Sequence, residues 1–202
     1  MRTFIGLVAA VLFGLSSAAA QDAVIDTWQP VEKVEPYAIS GTTPPELYVS
    51  MGEHGPEIGK GRRVIAFTNF KLTWQRDYQS RGNSCVLASA KPKLIITYKL
   101  PKPSQKLPAA TSARWKPFLA GIAAHEKVHG QYIIEMVREI VAYSVGLTVE
   151  DDPGCKKIRT VLTARLSELS QEQRRKGREF DRVEMGDGGN VQQLILALLN
   201  GE

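Results

Sequence analysis

His125-Glu126-Lys127-Val128-His129 sets two imidazoles four residues apart, with a carboxylate directly after the first. Four residues advance an α-helix by slightly more than one turn, so His125 and His129 share a face and can each offer a nitrogen to one tetrahedral cation. Glu126 stands beside that cation. A carboxylate there takes a proton from water activated by the metal, and His-Glu-x-x-His on a helix therefore reads as a zinc hydrolase site with Glu126 as general base. Three fixed residues in five recur by chance, so the elements around the motif must support it.

They do so through periodicity. Phe118, Leu119, Ile122, Tyr132, Ile133, Met136, Val137, Ile140 and Val141 recur at helical spacing, and the stripe continued through its gap lands on His125, Glu126 and His129. The motif thus faces inward. Burying two imidazoles and a carboxylate is costly unless something satisfies them; a cation would, and a His/Glu pair bonded to backbone is the alternative. Thr111 or Ser112 can cap this helix, while Pro117 puts its regular part as late as Trp115 to Pro117. Asp151, Asp152 and Pro153 open a second helix with the stripe Ile158, Val161, Leu162, Leu166 and Leu169. Two amphipathic helices with a short link pack as an antiparallel pair. Beyond Gln171 the sequence is strongly charged, and Gly177 and the Gly186–Gly189 region loosen it. Val191 to Leu199 is a short apolar segment at helical spacing, expected to dock on the rest, with an exposed partner-binding helix as the alternative.

The first half of the chain reads as strand. A short strand near Tyr37–Ile39 precedes Thr43, Pro44 and Glu46, which signal the start of a short helix reaching about Met51. Glycine-rich loops follow. Val64 to Trp74 alternates in its second half, and Leu94, Ile96 and Tyr98 alternate with polar residues between Cys85 and Leu100, which predicts an antiparallel pair with Pro92 at a bulge or an edge. Pro101 to Ala110 is a stiff connector. The expected fold is α+β: a small antiparallel sheet over about 21–100, then a pair of long packed helices over about 111–185 with a zincin-like active-site helix, and the apolar segment 191–199, all in one domain of residues 21–202.

Residues 1–20 stand apart from that domain. Arg2, the apolar run Phe4 to Leu15 and Ala18-Ala19-Ala20 have the form of a signal peptide cut after Ala20, too short to span a bilayer comfortably. The mature chain is expected to be periplasmic or secreted, without a transmembrane segment. Loss of Arg2 lowers the formal charge from +5 to +4, too mild a surplus to indicate nucleic-acid binding. Arg174-Arg175-Lys176-Gly177-Arg178 is the densest basic run; it reads as a solvated helix face, with peripheral contact to an anionic envelope surface as the other possibility. In an oxidising compartment Cys85 and Cys155 are expected to form a disulfide, rather than remain free thiols or ligate the metal.

These features, in this order, resemble a bacterial family of unknown function whose members are described as predicted secreted zinc-dependent proteases. The resemblance rests on Tyr37 with Gly41, the Gly55-Pro56 loop, the strand ending at Trp74, and Cys85 before a long strand closing with Leu100-Pro101. It continues through Trp115 and Phe118 ahead of the motif and Cys155 in the next helix. It implies an α+β fold and a peptidase acting on a peptide or protein substrate. The family's pattern has a Tyr-Asp pair and then a His-Gly pair near the C-terminus. This chain has Phe180-Asp181 and, in place of the second pair, Gly186-Asp187-Gly188. A catalytic zinc takes three protein ligands, so Asp181 is the expected third after His125 and His129, with Glu184, Asp187 and His54 as alternatives. Glu135 and Glu139 rotate away from the histidine face. Tyr132 and Arg138 are both available to stabilise an oxyanion. Two other readings stand beside the peptidase: a catalytically degenerate zinc-binding envelope module that binds or scaffolds, and a metal-independent envelope interaction domain.

Overall fold

The computed structural model describes residues 28–201; the expected signal peptide lies outside the described residues. In chain order these form β1 (Val31–Ile39), α1 (Pro44–His54), β2 (Glu57–Ile58), β3 (Arg62–Arg63), β4 (Phe67–Arg81), β5 (Ser84–Pro103), α2 (Ala109–Ser144), β6 (Thr148–Val149), α3 (Lys157–Glu184) and α4 (Asn190–Asn200). The fold is α+β, a small sheet with four helices.

β5 is the central strand, because its alternate residues Leu94, Ile96 and Tyr98 are buried against the helices. β4 pairs with it antiparallel from Phe67↔Lys99 to Arg81↔Ser84, as the alternation predicts, with a bulge at Asp77/Tyr78 and Gly82 turning the hairpin at φ 61°. On the other side β1 runs parallel, from Val31↔Ile95 to Ile39↔Pro103, so the sheet is mixed rather than antiparallel throughout. β1 is also nine residues long, well beyond the expected Tyr37–Ile39. Its first six residues are exposed, so no alternation marked them; backbone pairing holds the strand. β6 takes the same side of β5 at Cys85 and Val86. Pro92 falls in the gap between β6 and β1, where β5 has a partner on one side alone and a missing N–H costs least.

α2 starts earlier than expected. It begins at Ala109 and carries Pro117 inside it, although a proline there forgoes one helical hydrogen bond. Packing outweighs that loss: the Thr111 hydroxyl donates to the Thr42 carbonyl at 2.8 Å, and Trp115 and Phe118 are buried on either side of the proline. α3 begins at Lys157, later than Asp151, Asp152 and Pro153 suggested and after Cys155, although the Asp152 carboxylate accepts from the N–H groups of Lys156 and Ile158 at 2.7 and 2.9 Å. The Cys85–Cys155 disulfide ties the sheet to that same corner. α3 then runs unbroken through Gly177 to Glu184, where charge and glycine had suggested loosening. Gly177 is buried facing His129 of α2, and that packing keeps the helix continuous. α4 docks through Val191 and Leu198, and Gly121 of α2 lets Leu194 approach so closely that a Cβ would lie 2.4 Å from its Cδ1.

The motif helix is also gripped from the sheet. Tyr98 packs on Gly130, where an added Cβ would lie 2.2 Å from the phenol oxygen. That phenol donates to Glu32 of β1 at 2.6 Å, and Lys127 both pairs with Glu32 and lies over the Tyr98 ring at 4.4 Å. Gly130→Ala should therefore destabilise the fold by about 1–3 kcal/mol of overpacking, offset by about 1 kcal/mol of helix propensity. A lower urea midpoint is the expected result, and an unchanged or higher one would mean that the Tyr98 contact is slack.

Candidate metal centre

α2 brings His125 and His129 to its face toward α3, one turn apart, with ring centroids 4.9 Å from each other. Their Nε2 atoms are 3.2 Å apart. Asp181, near the C-terminal end of α3, aims Oδ1 at both, 2.8 Å from His129 Nε2 and 3.3 Å from His125 Nε2. Ligands bonded at about 2.0–2.1 Å in a tetrahedron sit about 3.3 Å from one another. The three separations cluster around that value, and these are the residues that converge as a metal-competent group among those described. The donor set, two imidazoles and a carboxylate, fits zinc with one position left open.

Packing prepares the two rings for this role. Phe180 stacks on His125 at 4.7 Å and meets His129 edge-on at 5.5 Å, so the residue before Asp181 fixes both imidazole planes. Gly177, one turn earlier on α3, faces His129, and a Cβ there would lie 3.4 Å from Nδ1. His125 is almost fully buried and its Nδ1 has no hydrogen-bond partner. Glu184 Oε2 lies 3.7 Å from that nitrogen. A carboxylate behind a ligating histidine selects the tautomer that leaves Nε2 free for metal.

Glu126 turns the other way, toward the sheet. The Thr68 hydroxyl of β4 donates to its Oε2 at 2.5 Å and also reaches its carbonyl at 3.0 Å. Burial raises the Glu126 carboxyl above the ordinary range, against the lowering effect of Thr68 and the two histidines. Desolvation works to lower the His125 imidazole, but the Asp181 hydrogen bond and the surrounding carboxylates outweigh it and hold the group above its usual value. For Asp181 desolvation is likewise overcome, here by the hydrogen bonds to both histidines, and its carboxyl is held well below the usual range.

The expected residues thus divide. His125, His129 and Asp181 converge, whereas Glu126, next to His125 in the chain, has its carboxylate on Thr68. Glu184 is near the centre but on the Nδ1 side of His125, in a supporting position. Asp187 is exposed beyond the end of α3 and within reach of Gln192 Nε2 at 3.3 Å, so it does not stand in for a histidine. His54 is bonded to Ser50 at the end of α1 and does not join the group. Tyr132 meets Phe180 at 6.1 Å, on the side of the centre, whereas Arg138 is exposed. Thr68 and Phe180 were not among the expected site residues. No spacing rule marks a threonine 58 residues from its partner, although Phe180 adjoins the aspartate of the family pair.

The family described as "Bacterial protein of unknown function (DUF922)" matches residues 34–189. The chain belongs to this family. No curated protein and no solved structure matches the chain. The family's span takes in Thr68, the whole motif, both cysteines, Asp181 and Glu184, and stops before α4.

Zinc titration against a competing chelator separates the roles of the acids. Asp181→Ala should weaken binding most, Glu184→Gln by about 10–100-fold, and Asp187→Ala and His54→Ala should bind as wild type does. An Asp187→Ala defect as large as that of Asp181→Ala would refute the ligand assignment.

Proposed function

We propose that the protein is an exported zinc-dependent peptidase in which His125, His129 and Asp181 hold the metal and Glu126 is the general base. The observation that carries this reading is the convergence of His125 Nε2, His129 Nε2 and Asp181 Oδ1 on one point, with the buried Glu126 directly after His125 on the same helix. Zinc bound there would polarise a substrate carbonyl and make water more acidic.

Glu126 takes a proton from the attacking water and returns it to the leaving amine. Burial strengthens it as a base by raising its pKa toward working pH, and Thr68 holds its carboxylate in one orientation. Phe180 keeps both imidazoles from swinging, and Glu184 sets a negative charge 3.7 Å behind His125 Nδ1. Of the two candidates for stabilising the oxyanion, Tyr132 is the one that packs against Phe180, the residue before Asp181. Asp181 is the most exposed of the three donors, its side chain 42% accessible, which supports access for a peptide or protein substrate.

Export is supported by the form of residues 1–20 and by the Cys85–Cys155 bond, since structural disulfides persist in oxidising compartments. A second reading has one observation in its favour: the Glu126 carboxylate is already engaged by Thr68, as in a zinc-binding envelope module that has lost catalysis and serves as a binding or scaffold protein.

Metal content and cleavage of a proteome-derived peptide library, for wild type and Glu126→Gln side by side, distinguish the readings. The peptidase is expected to carry about one zinc per chain and to cleave, and Glu126→Gln to keep the zinc while losing at least about 100-fold in rate. Zinc without cleavage in wild type favours the degenerate module, and normal cleavage by Glu126→Gln removes the general base.

A further inference from the structure

The sheet has two faces, and the helices cover one. On the other, the odd-numbered positions of 31–35 in β1, 67–75 in β4 and 91–99 in β5 point outward, and none of them is buried. Five of these positions are lysines: Lys33, Lys71, Lys91, Lys93 and Lys99. Lys91 and Lys99 lie eight positions apart along β5, about 26 Å at the rise of a strand. Lys71 and Lys33 widen the patch across both neighbours, opposite Ile95 and Thr97. The acids on this face are Glu35 and Asp77, at two of its margins, which leaves a surplus of three positive charges.

Elsewhere on the surface some cations are paired, while others such as Lys102, Lys116 and Lys157 also have no carboxylate partner among the described residues. Lys127, Arg165, Lys176 and Arg182 each pair with a carboxylate, three of them within their own helix. None of the five sheet lysines takes part in an ion pair or side-chain hydrogen bond among the described residues. We propose that this lysine face of the sheet docks the protein on an anionic phospholipid bilayer surface. The inference goes beyond the peptidase reading and does not depend on it.

Charge complementarity selects the occupant. The face carries lysines and no arginine, and so offers hydrated point charges suited to a diffuse anionic plane rather than the forked donors that grip a single phosphate. It also lacks a stacking platform for single-stranded nucleic acid. Its aromatic rings, Tyr37 and Phe67, are both half-buried at one end, and the Tyr37 phenol is committed to the Ile65 carbonyl at 2.7 Å. A juxtamembrane lysine gains affinity from an anionic leaflet within a Debye length, and five on one open sheet act together. Because the helices lie on the opposite face, docking in this way leaves them turned from the bilayer.

The test is co-sedimentation of the chain from Gln21 onward with vesicles of phosphatidylcholine alone or with 30% phosphatidylglycerol. Binding is expected with the anionic vesicles, falling steeply as salt rises from low to physiological, and none with phosphatidylcholine. Lys71→Glu/Lys91→Glu/Lys93→Glu should bind at least about a hundredfold more weakly with unchanged circular dichroism, and Arg174→Glu/Arg175→Glu/Arg178→Glu should bind within about twofold of wild type. The proposal is overturned by equal binding to neutral vesicles, by a sheet variant that binds like wild type, or by loss of binding in the α3 variant alone. Displacement from the vesicles by a DNA duplex at lower phosphate concentration would also overturn it, by assigning the face to nucleic acid.

Discussion

Asp181 reaches from α3 to two imidazoles of α2, and the arrangement of the helices follows from that contact. α2 is wrapped by the sheet, α3 and α4, yet it carries His125 and Glu126 among its buried residues. A helix so enclosed can keep ionisable groups only if each finds a partner. Glu126 finds Thr68 on the sheet side, and the histidines find Asp181 on the other. Gly177 of α3 faces His129, and Phe180 fills the space beside both rings. The polar groups of the proposed site are thus the same groups that restrict how the two helices can meet.

The sheet's hold on the motif works by different means. Tyr98 needs the bare backbone of Gly130, the residue directly after His129, to come close. Glu32 then joins the phenol to Lys127, so the variable positions around the motif are engaged as well. β1, whose exposed sequence has little to bury, is attached through this polar cluster and through its backbone pairing.

Much of this was legible in periodicity. The apolar stripe from Phe118 to Val141 located the motif on an inward face because helical period survives local exceptions. The β4/β5 pair was legible for the same reason, through alternation at Leu94, Ile96 and Tyr98. What escaped did so where tertiary partners outweigh local preference. Pro117 reads as a boundary, but Trp115 and Phe118 bury on both sides of it and the helix continues. β1 runs parallel to β5, a pairing for which the mostly exposed first strand leaves no pattern. At the site, Asp181 was accessible through its family pair, whereas the hydroxyl of Thr68 and the placement of Glu184 behind His125 depend on which elements meet, and no spacing along the chain encodes that.

The disulfide bears on the site in a further way. Cys155 lies two residues before α3, and Asp181 lies 24 residues into that helix, about 36 Å along its axis. α3 is therefore a beam held at both ends, by a covalent bond to the sheet at one and by contacts to His125 and His129 at the other. Such a beam has little freedom left to surrender. The entropy of bringing a carboxylate from one segment to two imidazoles on another is spent while the chain folds and its cysteines pair, so a ligand arriving later meets donors already in register.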